Sequence, residues 1–538
     1  MRILGFVVVL AGLTGVLGSG CTPARADVKP HALFSENMVL QRGINVPVWG
    51  TAEEGEKVTV RFQDQEVSTR TANGKWMVRL EKLEAGGPFE LTISGNNRIE
   101  FKNVLVGEVW LCSGQSNMEW SLAESGIYKE AIDASANPML RLYRVPRNAT
   151  KQPESDLQRE SKKGVWLDCT SRWLDGAGGH VGETKKGIWL QSGPETTAAF
   201  SAVAYFFGRD LQKALNVPVG LIVSSWSGTI GEAWTSLPAL EANAKLRGIV
   251  TAHRAAIQNY ARNKEQFQAK HLLDPDKNQN GPSNLFNGMI APLIPYALRG
   301  AIWYQGESNA GRAKHYQTLL PALIANWRAD WNQGDFPFLI VQIAPFSKIP
   351  QPALVMQESA SWAEVREAQL LTSLRVPNTA MAVTTDVGDE FDKHPKWKEP
   401  VGARLALAAR AVAYGEKIVY SGPIYKSMRV EGNEAILSFD HVGSGLTARG
   451  GALTGFWSAG PDKKFIPAVA EIRGDTVVVT NDRVTTPVAV RYGWADYPVV
   501  NLWNKDGLPA SPFRTDFSEL WSTDGLPASL SRADAAQK

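Results

Sequence analysis

Residues 109–119, Val109-Trp-Leu-Cys-Ser-Gly-Gln-Ser-Asn-Met-Glu119, run from an apolar stretch through a turn at Gly114 into residues able to start a helix. A serine in such a turn has its hydroxyl raised above the end of a strand, and nearby backbone N–H groups face the oxygen that becomes negative during acyl transfer. Ser116 is therefore a candidate nucleophile. Taken alone, the same pattern is an ordinary Gly-Ser-Asn helix cap, so the chemistry depends on partners. A serine nucleophile needs a base, and the chain has seven histidines, at 31, 180, 253, 271, 315, 394 and 441. His394 stands out, because the loop Asp386-Val-Gly-Asp-Glu-Phe-Asp-Lys-His-Pro395 puts three aspartates within reach of its imidazole. Asp392 is nearest, and Asp386 and Asp389 remain open. A solvated acidic loop and a metal site are the competing readings, and the lack of a second histidine at ligand spacing argues against the metal. Two more turns offer donors for an oxyanion: Ser224-Ser-Trp-Ser-Gly-Thr229 through the N–H of Gly228, and Trp303-Tyr-Gln-Gly-Glu-Ser-Asn309 through the side-chain amide of Gln305.

Strands and helices must hold these turns together. Apolar runs at 104–111, 217–225, 300–304, 338–343 and 380–385 alternate with helical patterns, among them 202–214 and 401–413. That alternation predicts an α/β domain over 104–415 with a parallel sheet, whose functional residues lie where strands end and loops begin. Before it, over 27–103, short alternating runs at 58–62, 76–80 and 89–93 are separated by Gly, Asn and Pro, as in a small β-sandwich. After it, runs at 434–439 and 475–480 predict a second β domain over 416–516. Residues 517–538 read as a polar tail. The segment Asp506-Gly-Leu-Pro-Ala-Ser511 recurs once, as Asp524-Gly-Leu-Pro-Ala-Ser529, which is too short and too few for a solenoid.

The 538 residues exceed one hydrophobic core, consistent with several domains. With 57 basic against 54 acidic residues and no basic run interleaved with aromatics, nucleic acid is excluded as a partner. Eighteen tryptophans lean toward carbohydrate, whose apolar ring faces stack on indole. Residues 1–26 follow the charge, apolar core and small-residue order of an export signal rather than of a membrane span. A periplasmic or extracellular protein is expected, with a lipid anchor at Cys21 as the competing exit. Cys112 and Cys169 are too few for a disulfide framework and read as core thiols. The calcium-like string Asp276-Lys-Asn-Gln-Asn-Gly281 has Asn287 where the loop would need Glu, so it reads as a surface loop.

Together, Gly114-Gln-Ser-Asn-Met118, Trp303-Tyr-Gln-Gly-Glu-Ser-Asn309 and His394-Pro-Lys396 resemble the sialate O-acetylesterase family, SGNH-type hydrolases among the carbohydrate esterases. Leu33-Phe-Ser-Glu-Asn-Met-Val-Leu-Gln-Arg42, Tyr205-Phe-Phe-Gly-Arg209, Asn287-Gly-Met-Ile-Ala-Pro292, Arg366-Glu-Ala-Gln369 and Gly507-Leu-Pro-Ala-Ser-Pro-Phe-Arg-Thr-Asp516 extend the resemblance over nearly the whole mature chain. It implies an SGNH-hydrolase-like, flavodoxin-like parallel sheet domain flanked by β-sandwich-type domains. It also implies Ser116 as nucleophile, His394 as general base, the Ser116 amide, Gly228 and Gln305 around the oxyanion, no cofactor, and an O-acetylated sugar or glycan as substrate. Two positions depart from the family pattern: Ser227-Gly228 replaces a glycine pair, and Phe391 stands three residues before the histidine where many SGNH enzymes carry the acid. Asp392 is accordingly the first choice of acid. Rival readings are an acetyl esterase of xylan or another polysaccharide, with the same site and different pocket walls, and a non-catalytic carbohydrate-binding surface protein.

Overall fold

A computed structural model describes residues 27–157, 187–269, 274–347, 356–357 and 360–516. The export segment 1–26 with Cys21, the tail 517–538, Cys169, His180 and His271 lie outside the described residues. Among the described residues, no helix is long and apolar enough to cross a membrane.

The centre is a mixed sheet whose interior strands are parallel. Seven of its strands are β1 (Arg98–Gly114), β2 (Asn137–Arg144), β3 (Trp189–Ser192), β4 (Val219–Ser225), β5 (Gly300–Tyr304), β6 (Phe338–Val341) and β7 (Thr379–Ala382). They lie side by side in the order β3-β2-β4-β1-β5-β6-β7, and only the β3–β2 pair is antiparallel. β4 and β5 are buried at every residue, as parallel strands covered on both faces must be, which is why they read as unbroken apolar runs. All five strands expected here are present. β2 and β3 were not foreseen, because β2 mixes Pro138, Arg141 and Arg144 with its apolar residues.

The helices that cover this sheet include α1 (Ser116–Glu119), α2 (Ala202–Leu215), α3 (Ala313–Trp331), α4 (Ser361–Arg375) and α5 (Glu399–Tyr414). Ser201 caps α2 by accepting the N–H of Ala204 at 3.1 Å, while its own hydroxyl donates to the carbonyl of Met118 at 2.6 Å. One capping residue therefore also fastens α1. The expected helices at 202–214 and 401–413 correspond to α2 and α5.

Antiparallel sheets flank the centre on both sides. On the N-terminal side, Lys29–Pro30, Val46–Thr51 and Lys75–Leu80 form one sheet, and Gln65–Arg70, Lys57–Phe62 and Gly86–Ser94 form another that joins β1. Lys75–Leu80 alternates exposed and buried residues, the period-two pattern of a strand with one wet face. β1 is seventeen residues long: its first half pairs with Gly86–Ser94 and its second half with β4 and β5. The expected boundary at residues 103 and 104 thus falls inside one continuous strand. On the C-terminal side, a four-stranded sheet of Ile424–Glu431, Glu434–Asp440, Thr476–Thr480 and Val469–Arg473 shares an apolar core with a second sheet that contains Phe456–Ala459 and Ala489–Tyr492.

Register decides what meets at the end of the central sheet. Gly114 is opposite both Ser225 and Tyr304, so the turns after β1, β4 and β5 leave the sheet at one level. Gly114 has φ +144°, and a Cβ there would lie 2.1 Å from the carbonyl oxygen of Tyr304. Gly114→Ala must therefore part β1 from β5 or strain the turn. The expected result is a loss of about 2 kcal/mol or more in urea unfolding. An unchanged midpoint would show that this contact does not constrain the turn.

Candidate active site

Ser116 opens α1 directly beyond the end of β1 and is 5 % exposed. The turn is fastened on both sides by backbone bonds: Gln115 N–H donates to Tyr304 O at 3.0 Å, and Trp226 N–H donates to Gly114 O at 3.2 Å. Ser116 Oγ makes no hydrogen bond among the described residues. Asn117 and Trp120, on either side of one helical turn, reach the loop that carries His394. Asn117 Nδ2 donates to the carbonyl of Lys393 at 2.9 Å. The ring of Trp120 stacks on the imidazole of His394, with centroids 4.6 Å apart and planes inclined by 16°.

His394 Nδ1 lies 3.3 Å from Asp392 Oδ1, and the same oxygen accepts the backbone N–H of His394 at 2.8 Å. His394 Nε2 is buried and, among the described residues, has no hydrogen-bond partner. Catalytic hydrogen bonds commonly tighten only when substrate is bound. Burial pushes the imidazole pKa down to about 4, the Asp392 carboxylate opposes that shift, and the Lys398 and Lys393 cations add to it. The ring is thus neutral over most of the pH range, as a proton acceptor must be.

The other two aspartates of the loop have different duties. Asp386 forms a two-pronged pair with Arg404 on α5, with both contacts at 2.7 Å, so it anchors the start of the loop and does not face the imidazole. Asp389 Oδ1 accepts the N–H groups of Phe391 and Asp392 at 2.9 and 3.1 Å and shapes the turn. Of the three carboxylates, only Asp392 is against the ring.

Gly228 adopts φ +74° in open space, the left-handed region that favours glycine. Its loop is held from two directions. Glu119 Oε2 accepts the N–H of Ser227 at 2.8 Å, and Asn280 receives the N–H of Ile230 at 3.0 Å while donating to the carbonyl of Gly228 at 3.3 Å. The string 276–281 therefore reaches beyond a surface loop, since its Asn280 braces the turn after β4. The N–H of Gly228 makes no hydrogen bond among the described residues.

Gln305 corrects an expectation. Its side chain is fully buried, and both hydrogens of Nε2 are committed, to Thr229 O at 3.2 Å and to Asn309 Oδ1 at 2.7 Å. No amide hydrogen is left for an oxyanion. Asn309 is engaged as well, accepting from Gly231 N–H at 2.9 Å and donating to Glu232 at 2.9 Å. Gln305 thus ties the turn after β5 to the loop that follows Gly228.

Four residues escaped notice in the sequence: Asn117, Glu307, Lys398 and Asn280. Asn117 and Glu307 stand inside the quoted motifs, but their bond at 2.5 Å spans 190 positions, and Lys398 donates to Asn117 across 281. Lys398 is wholly buried, and burial pushes its ammonium pKa down to about 7, against the raising influence of Glu307, Asp392 and Glu124. Burial likewise raises the carboxyl of Glu307 above its usual range.

Comparison with known proteins shows the family. Residues 276–410 match the family model for carbohydrate esterase, sialic acid-specific acetylesterase, a span that includes Gln305, Asp392 and His394. The chain is 31 % identical to the sialate O-acetylesterase of Rattus norvegicus over 519 residues, covering 88 % of this chain and 92 % of that protein. It is 30 % identical to the sialate O-acetylesterase of Homo sapiens, with coverage of 89 % and 91 %. A crystal structure of a carbohydrate acetylesterase from Xanthomonas citri superposes with a TM-score of 0.76 at 37 % identity, over 91 % of this chain and 99 % of that one. The protein is thus a carbohydrate esterase in class. Within that class, it belongs to the sialate O-acetylesterase family.

The carboxylates separate experimentally. Asp392→Asn should lower kcat by on the order of a hundredfold to ten-thousandfold, because the imidazole loses the group that orients Nδ1. Asp386→Asn should instead cost about 2 kcal/mol of stability, read by chemical denaturation, through the Arg404 it leaves unpaired. Reversal of these two effects would make Asp386 the acid.

Proposed function

We propose that the protein removes O-acetyl groups from sugars through an acetyl-enzyme intermediate, with Ser116 as nucleophile, His394 as general base and acid, and Asp392 as the orienting carboxylate. The observation that carries this reading is the pairing of Asp392 with His394 Nδ1 while Nε2 is left unbonded and the ring stacks on Trp120, which directly follows the helix that Ser116 opens. Sialate esters are the first substrate class, by kinship with the relatives named above, and acetylated plant-type polysaccharide is the alternative. The strand order supports an SGNH-type assignment: β4-β1-β5-β6-β7 is the 2-1-3-4-5 order of flavodoxin-like sheets, with functional turns at the carboxyl ends of the strands. The flanking antiparallel sheets fit β-sandwich-type domains over 27–103 and 416–516. Residues 1–26 support export to the periplasm or the medium, with anchoring at Cys21 as the alternative.

In this mechanism Ser116 Oγ attacks the acetyl carbonyl carbon as its proton passes to His394 Nε2. The carbonyl oxygen becomes an oxyanion and accepts the N–H groups of Ser116 and Gly228, two donors with no other partner among the described residues. The tetrahedral carbon then expels the sugar oxygen, which takes the proton from Nε2 and leaves as an alcohol. Water attacks the acetyl-enzyme and gives a proton to Nε2, and that proton returns to Ser116 Oγ as acetate departs. Gln305 acts by holding the turns at Thr229 and Asn309.

Acetate release from 9-O-acetylated sialic acid and from acetylated xylan tests both chemistry and substrate. Ser116→Ala should lower turnover by several orders of magnitude, and undiminished release would disprove the assignment. The sugar ester cleaved faster identifies the substrate class. Because the imidazole is neutral above its depressed pKa, kcat/KM should hold as pH falls through 6 and decline only near 4. An acid limb at the ordinary histidine value near 6.5 would show that burial does not govern this base.

A further inference from the structure

The loop carrying His394 is held at three places. Asp386 pairs with Arg404 at its start, Asn117 holds the carbonyl of Lys393 in its middle, and at its end the Tyr128 hydroxyl accepts the N–H groups of Lys398 and Glu399 at 2.7 and 3.0 Å. The middle anchor joins the loop to the nucleophile's turn, and it is itself part of a buried cluster. Asn117 Oδ1 accepts from Lys398 Nζ, while the two hydrogens of its Nδ2 go to Glu307 Oε1 at 2.5 Å and Lys393 O at 2.9 Å. The amide is saturated, and its orientation is unambiguous: a donor must face the oxygen and acceptors must face the nitrogen. Lys398 is the donor that sets this orientation.

We propose that Lys398 is a positioning residue of the esterase site, which through Asn117 fixes the loop of His394 onto the turn of Ser116. The proposal rests on the reading of Ser116 and His394 given above. A wholly buried lysine is costly, and this one is compensated on several sides. Glu307 faces it from the segment after β5, Asp392 from its own loop and Glu124 from the short helix Leu122–Ser125. Its Nζ also lies 5.6 Å from the centre of the Tyr304 ring, a cation–π contact from the end of β5. The same charge acts on the base. Lys398 and Lys393 both disfavour the imidazolium of His394, and only Asp392 favours it. One ammonium therefore has two separable effects: its hydrogen bond orients Asn117, and its charge adds to the burial that disfavours the imidazolium of His394.

Two variants of the full-length protein separate these effects, assayed on 4-nitrophenyl acetate over pH 4–9 beside wild type and Ser116→Ala. Lys398→Met removes both charge and donor, whereas Lys398→Gln removes the charge and keeps a donor. Removing a cation beside an imidazole raises its pKa, so in both variants the acid limb of kcat/KM should move to higher pH. Lys398→Met should also lose at least tenfold in kcat with KM within about threefold, and Lys398→Gln should keep most of kcat. A folded Lys398→Gln that loses tenfold or more in kcat would overturn the proposal, because it keeps a donor for Asn117, and this holds even if Lys398→Met fails to fold. A folded Lys398→Met with the kcat of wild type would do the same. Full activity in Ser116→Ala would instead overturn the esterase reading beneath it, so the two failures are distinguishable.

Discussion

Glu108 is a fully buried carboxylate in the middle of β1, and three side chains converge on it. Arg42 and Gln41 reach it from the N-terminal side of the molecule, and Arg299 reaches it from the residue before β5, with Nε at 2.8 Å. An isolated carboxylate in such a place would cost several kcal/mol, and stripping away one partner would leave the charge uncompensated. The cluster therefore couples the N-terminal sheets and the parallel sheet through one residue of one strand. That strand is also the one that ends at Gly114. Gln41 adds a second link, since its Oε1 accepts the N–H of Val109 at 2.8 Å. The position of Ser116 is set along β1 from this cluster, so the flanking sheets belong to the foundation of the site as well as to its surroundings.

Beyond the end of β1, the turns after β1, β4 and β5 are held by buried side-chain amides that bridge separate segments. Gln305, Asn309 and Asn117 each bind two or more separate segments, and each is buried. A buried amide that bonds several segments at once has few alternative orientations, because turning it would leave those segments unpaired. The donors that carry no such duty are the backbone N–H groups of Ser116 and Gly228. In the proposed mechanism, side chains hold the turns still while main-chain groups face the reacting atoms. Gln305, expected from the sequence among the oxyanion donors, has both hydrogens of Nε2 bonded within the protein, to Thr229 and Asn309.

The sequence was legible where its signal was local. β1, β4, β5, β6 and β7 announced themselves as apolar runs, α2 and α5 as helical periods, and the pairing of Asp392 with His394 followed from two residues of separation in one loop. It was illegible where function depends on partners far apart in the chain. Nothing near Lys398 marks it as buried: it follows the exposed Trp397 in a segment rich in charge, and its burial comes from Tyr304, Glu307 and Asn117. Asn280 sits in a string whose composition argues for a surface loop, and only the fold brings it to Gly228. β2 was missed because its charged residues interrupt the apolar run, although Arg141 is buried and bonded to Asn37 and Asn103.

The forces on His394 bear on the kind of ester the site suits. Asp392 is half exposed, so water screens its hold on the imidazolium, whereas burial and two lysines act in the opposite sense. The Trp120 stack fixes the plane of the ring without adding a charge that would raise its basicity. The result is a weak base that is well oriented and almost always unprotonated. A weak base gives less help to the attack of Ser116, yet its conjugate acid is correspondingly strong. In an acetylated sugar the leaving group is an ordinary alcohol, a far stronger base than imidazole, and it departs readily only if it receives a proton as the bond breaks. The proposed site is therefore biased toward its second task, protonating a reluctant alkoxide as its bond to the acetyl carbon breaks.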